Sequence, residues 1–126
     1  WRHYLDARRR WQLSSPLGVD RNEDNGSGYN DYWKYTFGEQ LRYAGGRWEV
    51  TANVRFSRYE YSLQSPTYPA TDLLKRDELG LGMRLQFNVF KEMKLYAEYE
   101  HERNDSNQDF SQYRVNTLNG GLLWEF

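Results

Sequence analysis

The sequence predicts an all-β chain: one antiparallel, up-and-down sheet of about six strands. Three observations predict it. Apolar and polar residues alternate strictly over long stretches, the joints between those stretches are alternately tight and long, and aromatic residues make up 17% of a chain whose mean hydropathy is only −1.03. A disordered polar chain would be poor in aromatic residues, so this one folds. Its 126 residues suit one structural unit, 1–126. Charge is balanced at 17 basic against 18 acidic side chains, with no basic patch, so nothing points to nucleic acid. Cysteine is absent, which removes disulfides, thiolate metal sites and cysteine nucleophiles. No apolar run approaches the roughly 18 residues of a membrane-crossing helix.

The elements follow from the period. Residues 1–13 form the first strand, with Leu5, Ala7, Trp11 and Leu13 on one face and Arg9 intruding; an amphipathic helix is the other reading of this segment. Residues 31–44 place Trp33, Tyr35, Phe37, Leu41 and Tyr43 on one face, and Lys34, Thr36, Gly38, Gln40 and Arg42 on the other. Residues 47–62 alternate Trp48, Val50, Ala52, Val54 and Phe56 with polar neighbours. Between these two strands stands Gly45-Gly46, a type I′ hairpin signal because both central positions need positive φ. Closing there pairs Tyr43 with Trp48, Leu41 with Val50 and Arg42 with Glu49, and leaves Glu39 opposite Ala52 on the apolar face. Residues 74–90 and 94–103 make a second hairpin around Lys91–Met93, pairing Phe87 with Ala97 and Arg84 with Glu100. Residues 113–126 are the last strand, with Leu118, Gly120, Leu122, Trp124 and Phe126 on one face.

Two classes fit such strands: a soluble antiparallel β-protein, and a transmembrane β-barrel whose lipid-facing and lumen-facing residues alternate. The joints decide between them. Gly45-Gly46 and Lys91–Met93 are tight, whereas 14–30, 63–72 and 104–112 are long and rich in Asn, Asp, Ser, Gly and Pro. Short periplasmic turns alternating with long extracellular loops are the mark of a transmembrane barrel. The aromatics agree. Tyr43, Trp48, Trp124 and Phe126 gather at the short-turn end, while Trp11, Trp33, Tyr35, Phe56 and Tyr99 gather toward the long loops, as two interfacial belts.

The chain ends Asn119-Gly120-Gly121-Leu122-Leu123-Trp124-Glu125-Phe126. This resembles the terminal β-signal of bacterial outer-membrane β-barrels of the porin type, with Asn119, Gly121, Trp124 and Phe126 in the motif's places. The resemblance covers eight residues. It implies the C-terminal part of a larger barrel in the outer membrane of a Gram-negative bacterium, with further strands of the same protein preceding Trp1. It also implies contact with outer-membrane lipid or lipopolysaccharide, and recognition by the barrel-assembly machinery. Six strands alone fall short of the roughly eight needed to close a filled barrel.

The function expected is a pore or export conduit for polar solutes or polymer, with no cofactor and no catalysis. Lys34, Arg42, Glu49, Arg55, Arg84, Gln86, Glu98, Glu100 and Glu102 line the wet face. They read as a solvated wall with cross-strand ion pairs, or as a selectivity element in which the three glutamates face a basic stripe at Arg8 and Arg10. Glycines 80 and 82 make room there for a bulky neighbour. Two loops carry Asp-x-Asn-x-Asp: Asp20, Asn22, Asp24 and Asp105, Asn107, Asp109. Oxygen ligands at alternate places suit calcium, but Asn25 stands where an EF-hand requires glycine and Asp31 where it requires Glu, so no metal is expected. His101 reads as a rim histidine, since Arg103 occupies the place a barrel lipase gives to serine. The rival classes are a soluble β-clam holding an apolar ligand against Trp48, Val54, Leu85 and Phe87, and a non-conducting membrane anchor.

Overall fold

The computed structural model describes residues 1–65, 72–108 and 111–124. Eight antiparallel strands form one sheet: β1 (Arg2–Tyr4), β2 (Trp11–Ser14), β3 (Leu17–Asn22), β4 (Tyr32–Gly45), β5 (Trp48–Tyr61), β6 (Lys75–Asn88), β7 (Met93–Ser106) and β8 (Tyr113–Trp124). The order across the sheet is β1-β2-β4-β5-β6-β7-β8, with β3 also on β4, and the two outermost strands are not joined to each other. All connections are up-and-down, and there is no α-helix among the described residues.

Strands β2 and β3 are one strand with a proline in it. Trp11 lies opposite Tyr43 and Leu17 opposite Phe37 in a single unbroken register along β4. Ser15 and Pro16 fall between them because proline has no N–H for the ladder. The Pro16 carbonyl still accepts from Gly38 N–H at 3.0 Å, and a Cβ on Gly38 would stand 3.1 Å from the proline ring. Gly38 is therefore what lets a proline sit on this edge.

This corrects the sequence reading of the N-terminal third. The expected strand 1–13 is instead a small hairpin, β1 on β2, with a turn at 5–10; the expected loop 14–30 is strand as far as Asn22. Three consecutive arginines hid the turn. Arg9 adopts a positive φ of 54°, and the Asp6 carboxylate accepts from Trp11 N–H at 2.9 Å and from Arg10 Nε at 3.2 Å. Arg8 and Arg10 thus belong to a turn and not to a stripe on the wet face. Trp11 moves as well: it lies level with Tyr43 at the short-turn end, their rings 4.8 Å apart.

Both hairpins keep their predicted faces and lose their predicted register. Gly45 pairs with Trp48 and Tyr43 with Val50, so the turn is Gly46-Arg47. Only Gly46 has positive φ, 60°, which fits a type II′ turn with glycine first rather than type I′. In the second hairpin Phe87 pairs with Leu95 and Arg84 with Glu98, two residues from the expected partners. A two-residue slip leaves every side chain on its own face; a one-residue slip would have inverted the sheet. Glu39 now lies opposite Val54, and Ser15 Oγ donates to its carboxylate at 2.8 Å, which supplies the polar partner it needs on an apolar face.

Candidate functional site

The functional surfaces of this molecule are the two faces of the sheet. One carries Trp33, Tyr35, Phe37, Leu41 and Tyr43 of β4, Trp48 to Phe56 of β5, Leu79 to Phe87 of β6, Leu95 to Tyr99 of β7 and Leu118 to Trp124 of β8, at alternate residues. Most of these side chains are exposed, Leu118 by 79%, Leu122 by 62% and Trp124 by 60%, while Leu41, Tyr43, Val50, Val54, Leu79, Leu85 and Phe87 are half-buried. The best buried residues are on the other, polar face, with Ser57 at 1%, Asn104 at 2% and Tyr59 at 7%. Toward the long loops, burial thus runs opposite to polarity. A sheet that curls round its polar face gives this pattern, and a cavity of about 490 Å³ lies on that face, lined from Thr36 and Gln40 on β4 through to Thr117 on β8.

The apolar band crosses the strands at a slant. From Leu118, the top of the apolar run on β8, the pairing passes through Tyr99, Met83 and Ala52 to Leu41 on β4, eight residues short of Trp33. From Tyr43, at the bottom of the run on β4, it passes through Val50, Leu85 and Ala97 to Gly120, four residues short of Trp124. At about 3.3 Å per residue and about 4.8 Å per strand, such a shift over four strand steps is a slant of about 35° to 55°. Strands of a membrane barrel tilt by about 35–45°. The aromatic residues mark the band's borders: Trp33, Tyr35, Phe56 and Tyr99 along the upper edge, and Tyr43, Trp48 and Trp124 along the lower, with the Trp48 ring 4.5 Å from that of Phe87 and tilted 45° to it.

The polar face brings the charged residues together less tightly than their spacing suggested. Arg42 Nε contacts Glu49 at 2.9 Å, a diagonal contact now that Thr51 stands directly opposite Arg42. The expected Arg84–Glu100 pair is not made. Gly82 stands opposite Glu100, and the Arg84 guanidinium lies over the Tyr96 ring at 5.3 Å, its Nε without a hydrogen-bond partner. Gln86 follows on the same face between Glu49 and Tyr96. Glu102 is bonded to the Tyr113 hydroxyl, and Glu98 faces Asn119. Glu100, Glu102 and Arg55 border the cavity. Room for it comes from Gly80 and Gly82. A Cβ on Gly82 would meet the Asn53 amide at 2.7 Å, and the Arg55 side chain crosses over Gly80. These are the bulky neighbours the glycines serve.

One feature of this face was not read from the sequence. Tyr59 is buried between two cations, with Lys34 Nζ 5.0 Å and the Arg76 guanidinium 4.3 Å from its ring centre, while its hydroxyl donates to Glu78 at 2.9 Å. Tyr32 packs beside it at 5.4 Å. The cluster fills the polar face below the long loops. Its signal was Tyr59, Arg76 and Glu78 falling in polar phase on strands whose opposite phase is apolar.

The loop carboxylates serve the backbone. Asp24 accepts from the N–H groups of Gly26 at 3.2 Å, Gly28 at 2.7 Å and Asn30 at 3.0 Å; the Asn30 bond first, then Gly28, hold its carboxyl below the usual carboxylate range. Asn22 Nδ2 donates to the Asn30 carbonyl, and Asp20 lies in β3 opposite Lys34. Asp105 lies in β7 with Arg103 Nε at 2.7 Å, and Asn107 bridges to the backbone of Leu73 and Lys75. Asp109 is outside the described residues. No group of acidic and histidine side chains among the described residues is arranged to hold a metal ion.

In the terminal segment, Asn119 and Gly121 lie on the polar face and Trp124 on the exposed one, opposite Met93. A Cβ on Gly121 would stand 3.1 Å from the Tyr96 ring, so this glycine seats an aromatic ring across the strand pair. Phe126 is outside the described residues. No family model, curated protein or solved structure matches the chain.

Proposed function

We propose that the chain is part of the wall of a bacterial outer-membrane β-barrel that forms a pore or export conduit for polar solutes or polymer. The observation that carries this reading is the slanted apolar band on the exposed face, bordered by aromatic rings, on a sheet whose polar face is the recessed one. A soluble clam would turn Trp48, Val54, Leu85 and Phe87 inward; here Trp48 is 47% exposed and shares its face with Leu81 and Met83, both exposed. The short turns would face the periplasm and the long loops the exterior. In lipid, the unpaired backbone along β8 and along the β1 edge would cost several kcal/mol per group, so we assign those edges to further strands of the same barrel. Asn119, Gly121, Trp124 and Phe126 would act as its assembly signal.

The polar face is mixed in sign, with Arg55 set against Glu100 and Glu102, and suits hydrated cargo in general better than a single ion species. Planar-bilayer recording on the full-length protein tests the reading. Discrete conductance steps are expected; insertion into the bilayer without conductance would make the protein an anchor, and a monodisperse product without detergent would make it a soluble carrier.

A further inference from the structure

The exposed face changes character abruptly along one row of the ladder. Phe37, Phe56 and Leu79 on β4, β5 and β6 are followed in the same row by Arg103 on β7 and Arg114 on β8. Two arginines directly opposite one another on one face of an antiparallel pair repel. Asp105 engages Arg103 from the Nε side at 2.7 Å, while Arg114 has no ion pair among the described residues. In the row below, Tyr99 Oη–H donates to Asn116 Oδ1 at 2.8 Å and His101 Nδ1 lies 2.8 Å from the same oxygen. The Asn116 oxygen is thereby occupied and its Nδ2 remains to donate, next to Arg114 on the same strand face.

The slant of the apolar band gives this cluster its height. On β7 and β8 the apolar run ends at Tyr99 and Leu118, and the arginines lie four residues beyond. That is about 13 Å along the strand, or about 9 Å along the normal at a tilt of 45°. A side chain leaning back toward the band reaches the headgroup layer, which extends about 5–8 Å past the hydrocarbon edge.

From this placement, and resting on the membrane reading above, we propose that Arg103, Arg114 and Asn116 form an outward-facing site for the phosphate of a phosphorylated membrane lipid. The guanidinium fork matches phosphate oxygens two at a time, and an anion between the two arginines removes their repulsion. A lipid is favoured over a free anion because the apolar side chains of Tyr99, Leu118 and Leu95 run directly below, where acyl chains would lie.

The test uses the full-length protein refolded in detergent, with native mass spectrometry reading the lipid retained. The probes are dioleoyl phosphatidic acid, dioleoyl phosphatidylcholine and inorganic phosphate. Retention of phosphatidic acid about tenfold above phosphatidylcholine is expected, on the strength of two arginines partly offset by Asp105. The double variant Arg103→Gln/Arg114→Gln should fall to the phosphatidylcholine level, whereas Arg58→Gln, an outward arginine held by Glu60 and Asp77, should not. Equal retention by the double variant would overturn the site, and displacement of the lipid by millimolar inorganic phosphate would make it a free-anion site instead. Insertion into neutral phosphatidylcholine vesicles, read by protease protection, is independent of the site: failure there removes the barrel reading, while success there without headgroup preference removes only this inference.

Discussion

The two faces of β4–β8 are built from the same strands and answer to different surroundings. On one, large apolar side chains stand exposed, up to 79% at Leu118; on the other, serine, asparagine and tyrosine are the buried residues. In a water-soluble sheet the oily face is the one that finds cover, because burying it supplies about 25 cal/mol per Å². Here the cover went to groups that bond across strands or to loops: Ser57 with Thr36, Tyr59 with Glu78, and Asn104 through its Nδ2 with the Ser111 carbonyl. Cover for polar groups and exposure for apolar ones is the distribution that the membrane reading proposed above requires.

The hardest blow to this contrast comes from placing the same charge on each face. Leu81→Arg should cost about 2–4 kcal/mol of folding free energy in lipid vesicles, the toll for arginine near a bilayer's midplane. Gln40→Arg, on the cavity side of β4, should stay within about 0.5 kcal/mol. Urea titration of both variants in the same vesicles makes the comparison. Equal costs would mean that the faces are not solvated differently.

Next in size is the packing on the polar face. Gly121→Val pushes a side chain into the Tyr96 ring, whose Cε1 lies 3.1 Å from the new Cβ, and overpacking of that kind costs about 1–3 kcal/mol. Refolding of purified protein, with no assembly factors present, isolates this term, and a Tyr96→Ala background should remove most of it. If Gly121→Val refolds normally while the cell fails to assemble it, the glycine serves recognition and not packing.

How much of this was legible in the sequence follows from parity. Alternation assigns each residue to a face, and a strand pair that slips by two conserves the assignment, so the faces, the loop alternation and the Arg42–Glu49 contact survived while both registers did not. The β4–β5 register was lost at Gly45-Gly46, where either glycine could enter the turn and only the second has positive φ. The N-terminal third was misread because Ser15-Pro16 looks like a loop and Arg8-Arg9-Arg10 looks like a polar phase. The first is settled by a non-local contact, Gly38 accepting the proline from across the ladder; the second is settled by Asp6, which closes the turn onto Trp11 five residues on. The Tyr59 cluster showed in the sequence only as polar phase, since its members come from three strands. The slant of the apolar band needed the register of all five strands at once.

A smaller effect separates bridging charges from packing on the polar face. The Arg42 and Glu49 side chains are 45% and 36% exposed, so a double-mutant cycle to alanine should return a coupling of at most about 1 kcal/mol, fading as salt screens it. A larger, salt-independent coupling would mean that the short-turn end of this face is dry.

The smallest effect concerns a loop and leaves the sheet alone. Asp24 holds the connection between β3 and β4 through three backbone N–H groups, which favour its ionised form, Asn30 first and Gly28 second, against a lesser opposing effect of burial. Its folded carboxyl titrates below its ordinary value of 3.8, so the unfolded loop binds the proton more readily. The stabilisation is accordingly whole above that value and disappears as pH falls through the depressed one. Amide hydrogen exchange at Gly26, Gly28 and Asn30 should accelerate relative to the strand amides of β5 and β6 when pH is taken below about 3.8, beyond the intrinsic pH dependence of exchange. Asp24→Asn should show that loss of protection already at neutral pH. Since the group is solvent-facing, the protein's overall melting should not move; a global shift in the variant would mean that the loop folds down onto the polar face and belongs to the core of the molecule.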